Sequence, residues 1–263
     1  MTSANHQGPT TNNQLLSFQG IEKSFFGVKV LKEVNFAVST GCLLGLVGEN
    51  GAGKSTLMNI LGGNLQPDAG TMSFRGASYA PHDPRDARMA GIGFVHQELN
   101  LFPNLSIAEN FFLTELPTTG PLILRKELHR RALELLERIG LPLAPGTPVE
   151  RLSAGERQLV EIARALAFDA RLIILDEPTT SLGAREAERL FALVRQLRQQ
   201  GRSIIYISHA LGDVLRLCDQ IVVLRDGAVV GAEAASEFDL ARLVTLMVGR
   251  ELKQLFPARS SQR

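Results

Sequence analysis

The sequence is poor in cysteine, since only Cys42 and Cys218 carry thiols among its 263 residues. Each lies within an apolar segment, and neither has neighbours at the spacing of metal ligands. The sequence therefore excludes a cysteine-based metal centre. We expect both thiols to be buried and reduced, as in a cytosolic protein.

Long hydrophobic runs are also absent. The longest, such as CLLGLVG, LIIL and IVVL, are far shorter than the roughly eighteen apolar residues that a membrane-spanning helix requires. Residues 1–14 are polar and contain no apolar signal core, so we expect a disordered tail and no signal peptide there. Any role at a membrane is therefore expected to be played from its surface.

Neither sign of charge is in excess. The chain has 28 Lys and Arg against 27 Asp and Glu, which gives a formal net charge of +1. A positive field over the whole surface, of the kind that attracts nucleic acid or anionic lipid, is therefore not expected. We predict no nucleic-acid partner.

Short apolar runs alternate with helical patterns along most of the chain, and this indicates a largely parallel sheet covered by helices. The predicted buried strands are 92–95, 172–175, 203–207 and 221–224, and the predicted helices are 125–139, 155–167, 184–199 and 239–248. Ahead of them, residues 15–25 and 30–38 favour β-structure and predict an antiparallel sheet.

The strands at 92–95 and 172–175 are separated by about 75 residues, which is too long for one crossover connection. This interval is rich in helical pattern and is broken by prolines. We predict a helical subdomain over about residues 100–168, inserted into an α/β core. The whole domain is expected to span residues 15–257, with a tail at residues 258–263.

GENGAGKST, residues 48–56, follows the apolar run LLGLV and precedes a helical pattern, which is the context of a phosphate-binding G-x-x-x-x-G-K-[ST] loop. Gly51 and Gly53 allow backbone N–H groups to face phosphate oxygens, while Lys54 places its charge at β- and γ-phosphates. Ser55 is predicted to bind Mg²⁺. The alternative is a glycine-rich turn that only packs a helix on a strand.

Two carboxylates end the predicted strand in RLIILDE. Carboxyl ends of parallel strands form ligand sites, so Asp176 is predicted to hold the water shell of Mg²⁺ and Glu177 to polarise an attacking water. The alternative is a polar exit from a core strand, which would place the same residues there without function.

Two further polar residues follow predicted strands. His209 comes after SIIYIS and is predicted to contact a γ-phosphate, and Gln97 comes after IGFVH and is predicted to reach metal or water. Either residue alone is more often a hydrogen-bonded bystander.

LSAGE, residues 152–156, precedes a helical pattern in which Leu159, Ile162 and Leu166 share one face. A helix start offers unpaired N–H groups and a positive dipole end, so Ser153 is placed to receive an anion. Ser153 and Glu156 also form the sequence of an ordinary capping box, and this alternative stays open.

Taken in this order and spacing, the motifs resemble the ATP-binding subunit of ABC transporters over residues 15–257. GENGAGKST resembles the Walker A loop, Gln97 the Q-loop, LSAGE the signature, LIILDE the Walker B strand and His209 the switch histidine. Phe25 matches the aromatic residue that stacks on adenine in this family. The ATP contacts that the resemblance implies are Phe25, Gly48, Asn50, Gly51, Ala52, Gly53, Lys54, Ser55, Thr56, Gln97 and Asp176.

The resemblance implies a P-loop NTPase fold, α/β with a mainly parallel sheet, an N-terminal antiparallel β subdomain and an inserted helical subdomain. It implies ATP and Mg²⁺, the metal being held by Ser55, Gln97 and Asp176, and catalysis by Glu177 and His209. In this family two nucleotide-binding domains face head to tail, so the signature of one closes over ATP held by the other. The signature residues here are Ser153, Ala154, Gly155 and Glu156, and the partner is a second copy or a second domain.

HQELNLFPNLSIAENFFL and LMVGRELKQLFP are similar to segments of bacterial importers for monosaccharides such as ribose, xylose and galactose. This similarity implies membrane permease subunits, with a coupling helix docked near residues 98–115, and indirectly a periplasmic sugar-binding protein. It places the chain at the cytoplasmic face of the inner membrane. The apolar residues of that docking segment, Phe102, Leu105, Phe111 and Phe112, are alternatively plain core.

Other functions stay open at this point. The alternatives are an importer ATPase for an autoinducer or another small solute, a soluble ABC ATPase without a transport role, and a protein that binds ATP without hydrolysing it.

The chain also departs from the family pattern. Ala154 and Glu156 replace a glycine and a glutamine of the usual signature, Gly183 replaces the usual D-loop aspartate, and most importers of this subclass carry two such domains in one polypeptide.

Overall fold

The computed structural model describes residues 13–96 and 100–249. The strands are β1 (Gln14–Phe25), β2 (Val28–Ser39), β3 (Leu43–Val47), β4 (Ala69–Phe74), β5 (Ala77–Tyr79), β6 (Ile92–Val95), β7 (Thr118–Thr119), β8 (Leu122–Ile123), β9 (Leu172–Asp176), β10 (Ser203–Ile207), β11 (Gln220–Arg225) and β12 (Ala228–Ala234). The α-helices are α1 (Lys54–Leu61), α2 (Pro84–Ala90), α3 (Ile107–Phe111), α4 (Arg125–Arg138), α5 (Ala154–Ala167), α6 (Ala184–Gln199), α7 (Leu211–Leu217) and α8 (Leu240–Val248). Two predicted tails lie almost entirely outside the described residues.

The central sheet has six strands in the order β12-β11-β3-β10-β9-β6. Every neighbouring pair is parallel except β11 and β12. Strands β3 and β10 are buried along their whole length, because apolar clusters cover both faces of the sheet. The predicted mainly parallel sheet is therefore confirmed.

The parallel register brings three strand ends to one level. Ile207 at the end of β10 pairs with Leu46 of β3 on one side and with Asp176 of β9 on the other. The loops that follow β3, β9 and β10 consequently leave the same edge of the sheet, and this edge carries the sequence motifs.

A second, antiparallel sheet has the order β2-β1-β4-β5. Its strands β1 and β2 confirm the two β-stretches predicted near the N-terminus, whereas β4 and β5 were not predicted. Phe18 and Val34 of this sheet are fully buried in the cluster that also contains Leu57 of α1. The antiparallel sheet therefore packs against the helix that follows the phosphate loop.

The interval between β6 and β9 contains α3, the hairpin β7–β8, α4 and α5. These helices form where the sequence places apolar residues on one face: Leu128, Ala132, Leu135 and Leu136 are the buried residues of α4. The interval joins two strands that are neighbours in the sheet. The boundaries of a separate helical subdomain stay a prediction.

Cys42 and Cys218 are both buried and free, as predicted. Burial raises the pKa of the Cys42 thiol to about 11, so this group stays protonated at neutral pH. Within the described ranges, none of the helices has the length and apolar character needed to cross a membrane.

Candidate nucleotide site

A cleft of about 490 Å³ opens at the carboxyl edge of β3, β9 and β10. Its lining brings together residues from the phosphate loop, from the end of β9 and from the segment after β10, although they are far apart in the sequence. The lining residues are Val30, Asn50, Gly51, Gly53, Lys54, Ser55, Thr56, Asp176, Glu177 and His209.

The phosphate loop is shaped by two glycines with positive φ, 84° at Gly51 and 104° at Gly53. The Lys54 Nζ donates hydrogen bonds to the carbonyl oxygens of Gly48 at 2.7 Å and Glu49 at 3.1 Å, which closes the loop around the ammonium. No side chain of the described residues caps the start of α1. Its first N–H groups and positive dipole end therefore remain available to an anion in the cleft.

Gly53 is required by both backbone conformation and space. A Cβ atom there would lie 2.7 Å from Leu31 Cδ2 and 3.2 Å from the Val30 carbonyl oxygen. We expect Gly53→Ala to lower the Tm by at least twice as much as Gly76→Ala, where φ is also positive, at 78°, but an added Cβ atom would lie in open space. The control substitution is expected to lower the Tm by about 5 °C. Thermal unfolding followed by circular dichroism measures both, and equal losses would contradict the crowding at Gly53.

The charges of the cleft oppose one another. Burial lowers the pKa of Lys54, and the nearby carboxylates of Glu177 and Asp176 counteract this shift. Burial, followed by the charge of Glu177, raises the pKa of Asp176. Two carboxylates thus share a partly desolvated site with a single ammonium from the loop, and a cation beside them would relieve their repulsion.

The oxygen donors of the cleft fit Mg²⁺. This ion prefers carboxylate, hydroxyl and water oxygens together with substrate phosphates. The Ser55 hydroxyl and the Asp176 carboxylate line the same cleft and supply donors of these kinds. The third predicted ligand, Gln97, lies outside the described residues.

Glu177 is held firmly at the end of β9. Its N–H donates to the Ile207 carbonyl oxygen at 2.9 Å, and its φ of 49° is a left-handed value that few non-glycine residues adopt. Its Oε2 lies 2.7 Å from Nδ1 of His209, whose side chain is 67% exposed, against 14% for Glu177. The exposed histidine therefore contacts a nearly buried carboxylate at the mouth of the cleft.

Ser153 caps α5, as its sequence also allowed. The Glu156 N–H donates to Ser153 Oγ at 3.2 Å, and the Ser153 N–H donates to Glu156 Oε2 at 2.8 Å. The residues around this helix start enclose a separate pocket lined by Ser153, Gly155, Glu156, Leu159, Glu186 and Arg189. None of them lines the cleft that contains the phosphate loop, so the two predicted anion-binding motifs lie apart in the described chain.

Not every predicted contact lines the cleft. Phe25 ends β1 and is half-buried, with Lys23 Nζ 5.7 Å from the centre of its ring, and it is not part of the cleft lining. Gly48 and Ala52 do not line the cleft either, since Ala52 is buried and a Cβ atom on Gly48 would lie 2.3 Å from the Leu224 carbonyl oxygen. Sequence reasoning missed Val30, which lines the cleft from β2, because an apolar residue in a strand carries no ligand signal.

A groove of about 420 Å³ lies between the central sheet and the helical interval. Asn110, Leu113 and Thr114 contribute to its lining from the predicted docking segment, residues 98–115. Phe111 and Phe112 are buried, which supports the alternative that these two rings are core. Residues 97–99 lie outside the described residues.

Comparisons with known proteins show what this chain is similar to. A family described as ABC transporter matches residues 31–180. The chain is 46% identical to the ribose import ATP-binding protein RbsA 3 of Rhizobium meliloti, over 95% of this chain and 49% of that protein. It is 44% identical to the arabinose import ATP-binding protein AraG of Pseudomonas savastanoi, over 96% of this chain and 50% of that protein.

Two solved structures have a similar fold. One is a nucleotide-free ATP-binding cassette from an ABC transporter, with a TM-score of 0.77 and 26% identity, covering 90% of this chain and 96% of that chain. The other is an ATP-binding cassette in a dimeric post-hydrolysis state with ADP and Pi, with a TM-score of 0.72 and 29% identity, covering 84% and 98%. The chain spans about half the length of the curated relatives that it matches.

Proposed function

Since the chain belongs to the ABC transporter family, we propose that it is the ATP-hydrolysing subunit that drives a bacterial monosaccharide importer. The observation that carries this proposal is the gathering of Lys54, Asp176, Glu177 and His209 around one cleft at the carboxyl edge of the sheet. The ribose and arabinose import proteins to which the chain is similar support the choice of a sugar as the transported solute.

The phosphate loop binds the triphosphate in this proposal. N–H groups of the loop and of the first turn of α1 donate to phosphate oxygens, and Lys54 turns its ammonium from the loop carbonyls towards the β- and γ-phosphates. Phe25 at the end of β1 is proposed to stack on adenine. Mg²⁺ held by Ser55, Asp176 and Gln97 would supply positive charge that offsets the phosphate oxygens during hydrolysis.

Glu177 acts as the general base. Its carboxylate accepts a proton from a water that attacks the γ-phosphorus in line, and the bond to the β-phosphate oxygen breaks to give ADP and phosphate. The hydrogen bond from the Glu177 N–H to the Ile207 carbonyl oxygen fixes the backbone of Glu177, and His209 orients its carboxylate from the solvent side. After cleavage, His209 is free to respond to the loss of the γ-phosphate.

Closure of the site requires a second cassette. The residues at the start of the signature helix and those of the nucleotide cleft line separate pockets of one chain. In this proposal the cleft binds ATP, and the signature supplies the N–H groups that cover its γ-phosphate. Two copies related by a two-fold axis form two complete sites, because the signature of each copy then faces the cleft of the other. We therefore propose a head-to-tail homodimer that ATP–Mg²⁺ closes and hydrolysis reopens. The dimeric solved relative supports this assembly.

The groove beside the helical interval is the proposed docking place of a helix from the permease, at the cytoplasmic face of the inner membrane. Leu113 lines this groove and is 39% exposed, while Leu133 on α4 is 44% exposed and lies away from it. We expect Leu113→Glu to abolish co-purification with the permease, because a carboxylate would be buried against the docked helix, and to leave ATP affinity unchanged. Leu133→Glu is the matched control, and equal association of both variants with the permease would overturn this docking place.

Uptake tests the proposed function directly. A strain that lacks this chain should lose ATP-dependent uptake of one labelled monosaccharide among ribose, xylose, galactose and arabinose, with a periplasmic binding protein selecting which one. Expression of the wild-type chain should restore uptake, whereas the Glu177→Gln chain should not. Unchanged uptake of every sugar in the deletion strain would contradict the assignment to sugar import.

A further inference from the structure

Glu186 belongs to α6, but its carboxylate reaches the start of α5. One oxygen, Oε1, accepts a hydrogen bond from the Gly155 N–H at 3.2 Å, across 31 positions of sequence. The other, Oε2, accepts from the Gly183 N–H at 3.1 Å and so caps its own helix. The carboxylate therefore joins the first turns of two helices.

The contact is close and charged. A Cβ atom on Gly155 would lie 2.6 Å from both Cδ and Oε1 of Glu186, so only glycine allows the carboxylate to approach this N–H. The Gly183 N–H, the Gly155 N–H and the Ser153 hydroxyl all lower the pKa of Glu186, which keeps the group ionised at neutral pH. The N–H of Gly155 in the signature thus binds an anion that is part of the chain itself.

From this geometry we propose that Glu186 competes with the partner's γ-phosphate for the signature N–H groups, and so sets the ATP concentration at which the dimer closes. The inference rests on the proposed function, in which Ser153 and Gly155 receive that phosphate. Glu186 is a positioning residue in this scheme, since it acts through the signature and not on the reacting atoms.

Two physical reasons require the carboxylate to leave. The Gly155 N–H has one proton to donate, so a carboxylate and a phosphate cannot both hold it well. Glu156 already places a second carboxylate at the same helix start, and an incoming phosphate would be repelled by both charges. When Glu186 departs, α6 loses its capping carboxylate, and Gly183 has no side chain to replace it. This loss opposes closure of the dimer. We call the contact between the Glu186 carboxylate and the Gly155 N–H the brake.

The test is ATP-driven dimerisation of Glu186→Gln in the hydrolysis-deficient Glu177→Gln protein, measured by light scattering during titration with ATP–Mg²⁺. Glutamine keeps the shape and an acceptor oxygen but loses the charge, and hydrogen bonds to charged groups are about twice as strong as neutral ones. We expect the ATP concentration for half-maximal dimer to fall about tenfold. An unchanged or higher concentration in a protein that still dimerises would overturn the brake, whereas failure of both proteins to dimerise would overturn the proposed homodimer and the brake with it.

A matched control lies two residues further along α6. Glu188→Gln makes the same change of charge, but Glu188 pairs with Arg216 and not with the signature. It should leave the titration midpoint unchanged, and an equal tenfold shift would overturn the assignment to Glu186 by showing a general effect of charge.

A second variant separates the brake from the helix cap. Gly183→Ser combined with Glu186→Ala supplies a new capping hydroxyl to α6 while it removes the carboxylate. This protein should retain its Tm and still dimerise at lower ATP, and a return to the original midpoint would show that capping alone governed closure. Monomer affinity for a fluorescent ATP analogue, measured in parallel, reports on the proposed function itself. Absent binding would defeat that function, whereas normal binding together with ATP-driven dimerisation at an unchanged midpoint would defeat only the brake.

Discussion

Glu177→Gln is expected to lower ATP turnover by about a hundredfold to a thousandfold, because the variant removes the general base of hydrolysis. Binding of ATP should change little, since the amide keeps the shape of the side chain and the phosphates are bound by the loop and Lys54. The hydrogen bond from the Glu177 N–H to the Ile207 carbonyl oxygen does not involve the side chain, so it should be present in the variant as well. The expected signature is therefore a loss of turnover without a loss of affinity.

Phosphate release at saturating ATP, measured with the permease present, checks this expectation. Glu188→Gln serves as the control, because Glu188 is an exposed glutamate that pairs with Arg216 and does not line the cleft. Turnover in Glu177→Gln above about a tenth of the wild-type rate would remove Glu177 from the role of general base.

Lys54→Ala is expected to weaken ATP binding by at least about thirtyfold, the loss typical of truncating one partner of a close charge pair. The substitution also removes the two hydrogen bonds that close the phosphate loop on the Gly48 and Glu49 carbonyls. Binding and loop shape should therefore fail together. The chain contains no tryptophan, so a fluorescent ATP analogue is the practical probe of affinity.

Lys126→Ala controls for the loss of a positive charge, since Lys126 is an exposed residue of α4 outside the cleft. It should bind the analogue as the wild type does. Unaltered affinity in Lys54→Ala would show that the triphosphate is bound elsewhere in the chain.

The edge of the sheet that carries the site was predictable from local sequence. LIIL and SIIYI are apolar runs of strand length, and each ends directly before polar residues, so parallel pairing had to bring Asp176 and His209 to the same side. The spacing of glycines in GENGAGKST predicted the phosphate loop at this edge. These features depend on residues next to one another in the chain, which is why the sequence reveals them.

Contacts between distant elements could not be predicted in the same way. Glu186 reaches Gly155 because α5 and α6 pack together, and packing depends on the whole core. Its local pattern, Gly183 followed three residues later by glutamate, lacks the Ser or Thr that marks a capping box. Strands β4 (AGTMSF) and β5 (ASY) were missed because neither contains a run of large apolar residues or a clear alternation of apolar and polar ones. Their place in the sheet depends on pairing of β4 with the distant β1 and of β5 with β4.

In the proposed dimer, the cleft of one copy and the signature of the facing copy form one ATP site. Light-scattering mass of the Glu177→Gln protein, with saturating ATP–Mg²⁺ and without nucleotide, tests this most directly. We predict that ATP doubles the mass and that Ser153→Arg prevents the doubling while ATP still binds. A chain that is saturated with ATP yet keeps the mass of a single copy would contradict it.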